Sequence, residues 1–174
     1  MGKKILISGR AGADKTTLIE KLAGRLGAEA LRGFYTTELQ EGDKRAGFDL
    51  NVIGGVTKNF AHVNMSASHR VGKYGVDLKL FEEYALPEIE EGMQTGATLL
   101  IDEIGKMELL SIRFKRCVLR ALDSDCDLVA TVMSRPHPFI EQLRTRKDVE
   151  WLPLTETNED IVLEKIIGRL EVKQ

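Results

Sequence analysis

The residues best suited to chemistry near the start of the chain form a short run that resembles a phosphate-binding loop. Its pattern follows G-x-x-x-x-G-K-[ST] except at one position, and such a loop surrounds phosphates with backbone N–H groups. In that arrangement Lys15 reaches the β and γ phosphates as a catalytic cation, and the hydroxyl of Thr16 binds Mg²⁺. We therefore predict a nucleotide-binding P-loop. It consists of Gly9, Arg10, Ala11, Gly12, Ala13, Asp14, Lys15, Thr16 and Thr17.

Asp14 is the position that departs from the pattern, because a glycine is expected there. Glycine gives the backbone freedom, whereas aspartate enters left-handed conformations only at some strain. Two like charges a few ångströms apart cost roughly 1–4 kcal/mol at an effective dielectric constant of 20, which corresponds to about one to three powers of ten in affinity. We expect the loop to form but to bind nucleotide less tightly.

A second group of candidate residues follows a short apolar strand, residues 98–101, which ends in Asp102 and Glu103. Ligands of parallel sheets bind at the carboxyl ends of the strands. Asp102 is therefore expected to hold Mg²⁺ together with Thr16. Glu103 is expected to point the other way and to polarise the attacking water as a general base. Combined with Lys15, the pair predicts phosphoryl-transfer machinery that uses a water activated by Glu103.

Further cations are candidates for neutralising charge on the transferred phosphoryl group, as an arginine finger does. Lys106 is the best of them, because it lies three residues past Glu103. The weaker candidates are Arg45, Arg70, Lys73 and Arg113. Tyr74 or Phe34 is a candidate for stacking on a base, although a core position is the stronger expectation for Phe34.

The elements that must position these residues alternate between strands and helices after an antiparallel stretch. This pattern predicts an α/β fold, a three-layer P-loop sandwich with a largely parallel sheet, in one domain over residues 1–174. Residues 33–61 are predicted to form an inserted antiparallel β-meander, and residues 62–74 to be irregular. The main elements are strand 4–8, helix 15–26, helix 77–93, strand 98–101, helix 112–122, strand 128–133, helix 138–144, strand 149–154 and helix 161–170.

Composition excludes several classes of partner. The 25 basic and 27 acidic residues give a net charge of −2, so nothing draws the chain generally to nucleic acid or anionic membranes. No apolar run is long enough to span a membrane, and the N-terminal apolar run is too short for us to expect a signal peptide. We expect a cytoplasmic monomer whose partners are nucleoside triphosphates.

Several stretches resemble the broad-specificity nucleoside-triphosphatases of thermophiles, the cancer-related nucleoside-triphosphatase family. The most specific is Asp102–Leu109, and Gly33–Thr36, Arg45–Phe48 and Arg70–Tyr74 are also similar. The resemblance implies a P-loop α/β fold and Mg²⁺-dependent hydrolysis of ATP, GTP and other triphosphates with little base preference. It also implies phosphate contacts from Gly9 to Thr16, with metal and water roles for Asp102 and Glu103. The chain departs from the family at Asp14, where the family has glycine, and at Ala11, where proline is common.

Three functions remain open at this point. The first is a nucleoside-triphosphate hydrolase, which Glu103 beside Asp102 favours. The second is a nucleotide or small-molecule kinase on the same fold, in which a second substrate accepts the phosphoryl group. The third is a degenerate P-loop interaction module that binds nucleotide weakly or not at all because of Asp14. Dedicated guanine specificity is disfavoured, since no Asn-Lys-x-Asp run occurs in the sequence.

Overall fold

The computed structural model describes residues 1–9 and 13–171. Within these residues nine strands form one sheet, in the spatial order β5-β6-β4-β3-β2-β7-β8-β1-β9. The strands are β1 Lys4–Gly9, β2 Leu31–Glu41, β3 Lys44–Val52, β4 Thr57–His62, β5 His69–Val71, β6 Tyr74–Val76, β7 Thr98–Ile104, β8 Leu128–Val132 and β9 Glu150–Leu154. The helices are α1 Lys15–Leu26, α2 Leu78–Thr95, α3 Ile112–Asp123, α4 Pro138–Arg144 and α5 Glu159–Glu171.

The sheet is mixed and lies between two layers of helices. Strands β2, β7, β8, β1 and β9 run parallel, and strands β2 to β6 pair antiparallel. One apolar core packs α2, α3 and α4 against one face, and a second core packs α1 and α5 against the other. The prediction of an α/β three-layer sandwich is therefore confirmed, with the parallel strands forming the half of the sheet that carries the P-loop.

The antiparallel part extends further than the predicted meander of residues 33–61. Strand β2 begins at Leu31 and pairs in parallel with β7, so it belongs to the central sheet as well as to the antiparallel half. The stretch predicted to be irregular, residues 62–74, contains strand β5 and contributes the first residue of β6. A tight turn with Gly72 at φ +56° joins these two strands. Strands of three residues are too short to show an alternating pattern, so they could not be predicted from the sequence.

Helix boundaries follow the capping residues of the sequence. The side chain of Asp77 accepts a hydrogen bond from the backbone N–H of Leu80 at 3.0 Å, as an N-cap does. Helix α2 ends at Gly96, which adopts φ +74°, and α1 ends at Gly27 with φ +84°. Across the described ranges, none of the helices is long and apolar enough to cross a membrane.

The register of the parallel strands brings the candidate residues to one edge. Ile7 of β1 pairs with Thr131 of β8, and Ala130 pairs with Ile101 of β7. The register of β7 against β8 shifts after Ile101, and Thr131 there donates a hydrogen bond to Asp102 at 2.7 Å. Lys15 and Thr16, at the start of α1, meet the acidic pair at this edge of the sheet.

Candidate active site

Lys15, the first residue of helix α1, lies at the centre of the site. Its ammonium group contacts a carboxylate oxygen of Glu103 at 3.1 Å and donates to the carbonyl of Val132 at 3.2 Å. The side chain is 17% exposed, so the cation is partly withdrawn from solvent while its head remains at the helix N-terminus. The predicted contribution of residues 10–12 (Arg10, Ala11 and Gly12) lies outside the described residues.

Asp102 is held between two threonine hydroxyls. Thr16 donates to one carboxylate oxygen at 2.8 Å and Thr131 to the other at 2.7 Å. Asp102 is only 2% exposed, and burial raises its pKa from 3.8 to about 6. Thr131 was missed in the sequence, although it is the one polar residue in the otherwise apolar strand β8. The structure thus joins the two residues predicted to bind Mg²⁺, Thr16 and Asp102.

The carboxylates of Glu103 and Asp102 both contact helix α1, at two consecutive residues of the helix. Glu103 contacts Lys15, and Asp102 accepts from Thr16. The expectation that Glu103 points the other way is therefore wrong, because both carboxylates line one cleft. The carboxylate of Glu103 therefore lies beside the ammonium group of Lys15 at the start of α1.

Asp14 acts as the N-cap of helix α1. Its carboxylate accepts hydrogen bonds from the hydroxyl of Thr17 and, at 2.9 Å, from the backbone N–H of Thr17. These bonds, the hydroxyl first, lower the pKa of Asp14 below its usual value, so the exposed carboxylate is charged at neutral pH. Its φ of −91° lies outside the left-handed region that the missing glycine suggested. Asp14 therefore replaces the flexibility of glycine with a helix cap.

These side chains surround an open cleft of about 630 Å³, the phosphate cleft hereafter. Its oxygen donors, a threonine hydroxyl and a carboxylate, are hard ligands of the kind that Mg²⁺ prefers. The described ranges contain no cluster of three or more His, Cys, Asp or Glu side chains that could hold a metal unaided. The cleft is lined by Ala13, Asp14, Lys15, Thr16, Thr17, Glu20, Thr36, Thr37, Glu38, Arg45, Phe48, Asp102 and Glu103.

A second cavity, of about 450 Å³, borders the phosphate cleft on the side of the antiparallel strands. This side cavity has mostly apolar walls, made by Phe48, Phe60, Val71, Tyr74, Met107 and Met133. Lys106, predicted as a catalytic cation, is exposed and lines the side cavity. Its catalytic role stays a prediction.

Glu108 is a buried acid that the sequence analysis did not single out. It is 5% exposed, and burial, followed by the negative charge of Glu103, raises its pKa well above the usual range. It lies in a short 3-10 turn, Glu108–Leu110, after β7 and lines the side cavity. The signal available in the sequence was its place within the Asp102–Leu109 run.

The remaining predicted cations differ in whether they line the two cavities. Arg45 lines both cavities, where its guanidinium donates to the hydroxyl of Tyr74 and to Glu38, each at 2.9 Å. Arg70 instead donates to the backbone carbonyl of Lys73 at 2.9 Å and steadies a turn. The guanidinium of Arg113 lies 4.0 Å from the carboxylate of Glu82 on helix α2. Arg113 lines neither the phosphate cleft nor the side cavity.

The two aromatic candidates for base stacking differ in exposure. Phe34 is fully buried, with its ring centroid 5.5 Å from that of Phe81, so it is a core residue. Tyr74 lies edge-on to Phe48 at 5.3 Å in the wall of the side cavity. The lysine ammonium of Lys73 lies 5.4 Å from the Tyr74 ring centroid, which is a cation–π contact.

A lysine and a threonine at the start of a helix, meeting a buried aspartate at the carboxyl edge of a parallel sheet, define the class of P-loop nucleotide-binding proteins. Comparison with known proteins agrees, since residues 4–167 match the protein-family model described as NTPase. The chain therefore belongs to the NTPase family, as the resemblance predicted.

Relatives and solved structures support this membership over nearly the whole chain. Nucleoside-triphosphatase THEP1 of Thermotoga maritima is 41% identical over 168 residues, which cover 97% of this chain and 95% of the relative. The human cancer-related nucleoside-triphosphatase is 32% identical over 182 residues, which cover 96% of each chain. The crystal structure of THEP1 from the hyperthermophile Aquifex aeolicus has a TM-score of 0.87 at 36% identity, covering 97% of this chain and 99% of that one. The solution structure of the human protein has a TM-score of 0.83 at 31% identity, covering 99% and 100%.

Proposed function

We propose that this chain hydrolyses nucleoside triphosphates, ATP and GTP among them, to the diphosphate and inorganic phosphate. The observation that carries the proposal is the 3.1 Å contact between Lys15 and Glu103, which places a carboxylate beside the cation that meets the terminal phosphates. The relatives named nucleoside-triphosphatase add support from outside the structure. Low base preference is part of the proposal, since the sequence has no Asn-Lys-x-Asp run.

The chain's own residues divide the work as follows. Lys15 binds the β and γ phosphates together with the N–H groups of the loop, residues Gly9 to Thr17. When the ammonium group of Lys15 pairs with the phosphates, its ion pair with Glu103 breaks and the Glu103 carboxylate becomes free. Glu103 then accepts a proton from the water that attacks the γ phosphorus. Lys106 and Arg45 remain candidates for neutralising the charge that develops on the phosphoryl group.

Mg²⁺ fits the pair formed by Thr16 and Asp102. The hydroxyl and the carboxylate already lie 2.8 Å apart, and both of their oxygens suit a hard cation. Bound there, Mg²⁺ supplies positive charge that offsets the charge of the β and γ phosphates. Thr131 keeps the carboxylate oriented from the side of β8. Monomeric state and the absence of nucleic-acid binding stay predictions of the sequence.

The test is a phosphate-release assay on the purified chain with ATP, GTP, CTP and UTP. We expect equal amounts of diphosphate and phosphate from each substrate with Mg²⁺, and loss of turnover when Mg²⁺ is chelated. The variant Lys15→Ala is the control for contaminating phosphatases and should be inactive. Strict dependence of turnover on an added acceptor, or turnover unaffected by chelation, would overturn the proposal.

A further inference from the structure

The side cavity is continuous with the phosphate cleft. Five residues line both spaces: Lys15, Thr36, Arg45, Phe48 and Glu103. Two of these, Lys15 and Glu103, form the ion pair at the catalytic centre. A molecule in the side cavity would therefore lie against the same two groups that the proposed hydrolysis uses.

The shared residues also fix which end of a nucleotide the side cavity adjoins. The P-loop lysine reaches the β and γ phosphates, so a space bounded by Lys15 and Glu103 borders the terminal phosphate. The ribose and base are attached at the opposite end, through the α phosphate. The far walls of the cavity come from strands β3 to β6, on the side of β7 away from the P-loop strand β1.

The side cavity is much larger than the space needed by the attacking water of a hydrolysis reaction, and its lining resembles that of a small-molecule site. A water molecule occupies only about 30 Å³ of liquid volume, against about 450 Å³ for the cavity. Small-molecule sites are typically concave and mostly apolar, with a few polar groups that fix orientation. Here Phe48 and Tyr74 form an edge-on aromatic pair. Besides Lys15 and Glu103, the polar lining residues are Thr36, Arg45, Lys106, Glu108, Ser134 and Arg135.

Two polar groups of the lining, Arg45 and Glu108, have defined surroundings. The Arg45 guanidinium is fixed by the Tyr74 hydroxyl and by Glu38 and lies 5.2 Å from the Phe48 ring centroid. Glu108 is buried and lines the cavity, and burial raises the pKa of its carboxyl group, which favours the form that donates a hydrogen bond. Aromatic and apolar walls, together with a buried carboxyl group and the cations Arg45, Lys106 and Arg135, suit a small ring bearing polar substituents.

We propose that the side cavity binds a small, largely planar alcohol that accepts the γ-phosphoryl group in place of water. The inference rests on the proposed nucleotide site. The alcohol oxygen forms a bond to the γ phosphorus as the bond from that phosphorus to the β–γ bridging oxygen breaks. The hydroxyl proton passes to the Glu103 carboxylate and then to solvent. The products are a phosphate monoester and the nucleoside diphosphate, and nothing is oxidised or reduced.

The experiment measures diphosphate and inorganic phosphate separately from Mg-ATP, with benzyl alcohol and 3-pyridinemethanol as probes and methanol as the control alcohol. We expect diphosphate to exceed phosphate with either ring alcohol, and the difference to appear as a phosphomonoester in the ³¹P NMR spectrum. Equal amounts with both ring alcohols would overturn the acceptor proposal while leaving hydrolysis intact. A failure to form any diphosphate would instead reject the proposed hydrolysis.

A cavity-filling variant ties the transfer to the side cavity. Val71 is partly buried, lines the side cavity and does not line the phosphate cleft, so Val71→Trp should abolish ester formation and keep hydrolysis. Met133→Trp fills the cavity from β8's side and guards against a folding defect in the first variant. The matched control Val56→Trp, at a residue 48% exposed, should retain transfer. Ester formation that survives both cavity variants, or a rise in the KM for ATP in them, would overturn the assignment.

Discussion

Asp14 gives the P-loop a charged side chain without the backbone conformation that glycine would allow. The carboxylate caps α1 through Thr17 and remains charged. It is therefore part of the local structure, and it also lines the cleft in which we propose that the phosphates bind. Removing it separates two effects, because asparagine keeps an N-cap oxygen and removes the charge, whereas glycine removes both.

We expect Asp14→Gly to raise the affinity for Mg-ATP at least tenfold, since the repulsion of like charges costs roughly 1–4 kcal/mol. Isothermal titration calorimetry measures the affinity of each variant for Mg-ATP. Asp14→Asn is the matched variant, and it should recover most of the gain if charge is the cause. Unchanged affinity in both variants would show that Asp14 does not oppose phosphate binding.

The buried Asp102 makes stability depend on pH in the nucleotide-free protein. Because burial raises its folded-state pKa from 3.8 to about 6, the folded protein holds this proton more tightly than the unfolded chain does. The associated stability is complete below pH 3.8 and is lost as the pH rises through about 6. The shift corresponds to about 3 kcal/mol at 1.36 kcal/mol per unit.

Asp102→Asn removes this titration. Relative to the wild type, the variant should gain up to about 3 kcal/mol in unfolding free energy between pH 4 and pH 8. Urea unfolding of both proteins at the two pH values measures the difference. Parallel pH dependence in the two proteins would contradict the burial of a raised-pKa carboxyl group at this position.

At the scale of elements, the contact between β2 and β7 joins the two halves of the sheet and supports the acidic pair. Gly33 makes this contact possible, because its φ is +127° and a Cβ there would lie 1.9 Å from the carbonyl oxygen of Leu100. Gly33 pairs with Leu100, two residues before Asp102. A side chain at position 33 would therefore push β2 away from the strand that carries the site.

We expect Gly33→Ala to destabilise the fold, with backbone strain alone contributing roughly 1–3 kcal/mol. Gly24→Ala, in an exposed part of helix α1 with no atom within 4 Å of the added Cβ, should instead stabilise it by roughly 0.5–1 kcal/mol. Thermal or chemical unfolding of the two variants provides the comparison. Similar stability of both would show that β2 can move without cost.

Across the whole molecule, the sequence predicted what is encoded in contiguous runs. The P-loop, its helix and the Asp102–Glu103 pair each occupy a single short segment, so spacing and flanking apolar residues were enough to predict them. Thr131 and Glu108 were missed because their roles depend on strand order and on a turn that buries a carboxyl group. The side cavity combines Phe48, Val71 and Met133 from separate elements, which no local pattern can foresee.

The central claim is that Glu103 activates water at a nucleotide site built on Lys15. The most direct test is Glu103→Gln, with turnover measured by phosphate release and Mg-ATP affinity by calorimetry, and exposed Glu29→Gln as the matched control. We predict that turnover falls by about 10²–10⁴-fold. Affinity should be unchanged or higher, because Lys15 loses its ion-pair partner. Retained turnover, or loss of nucleotide binding, would contradict the account.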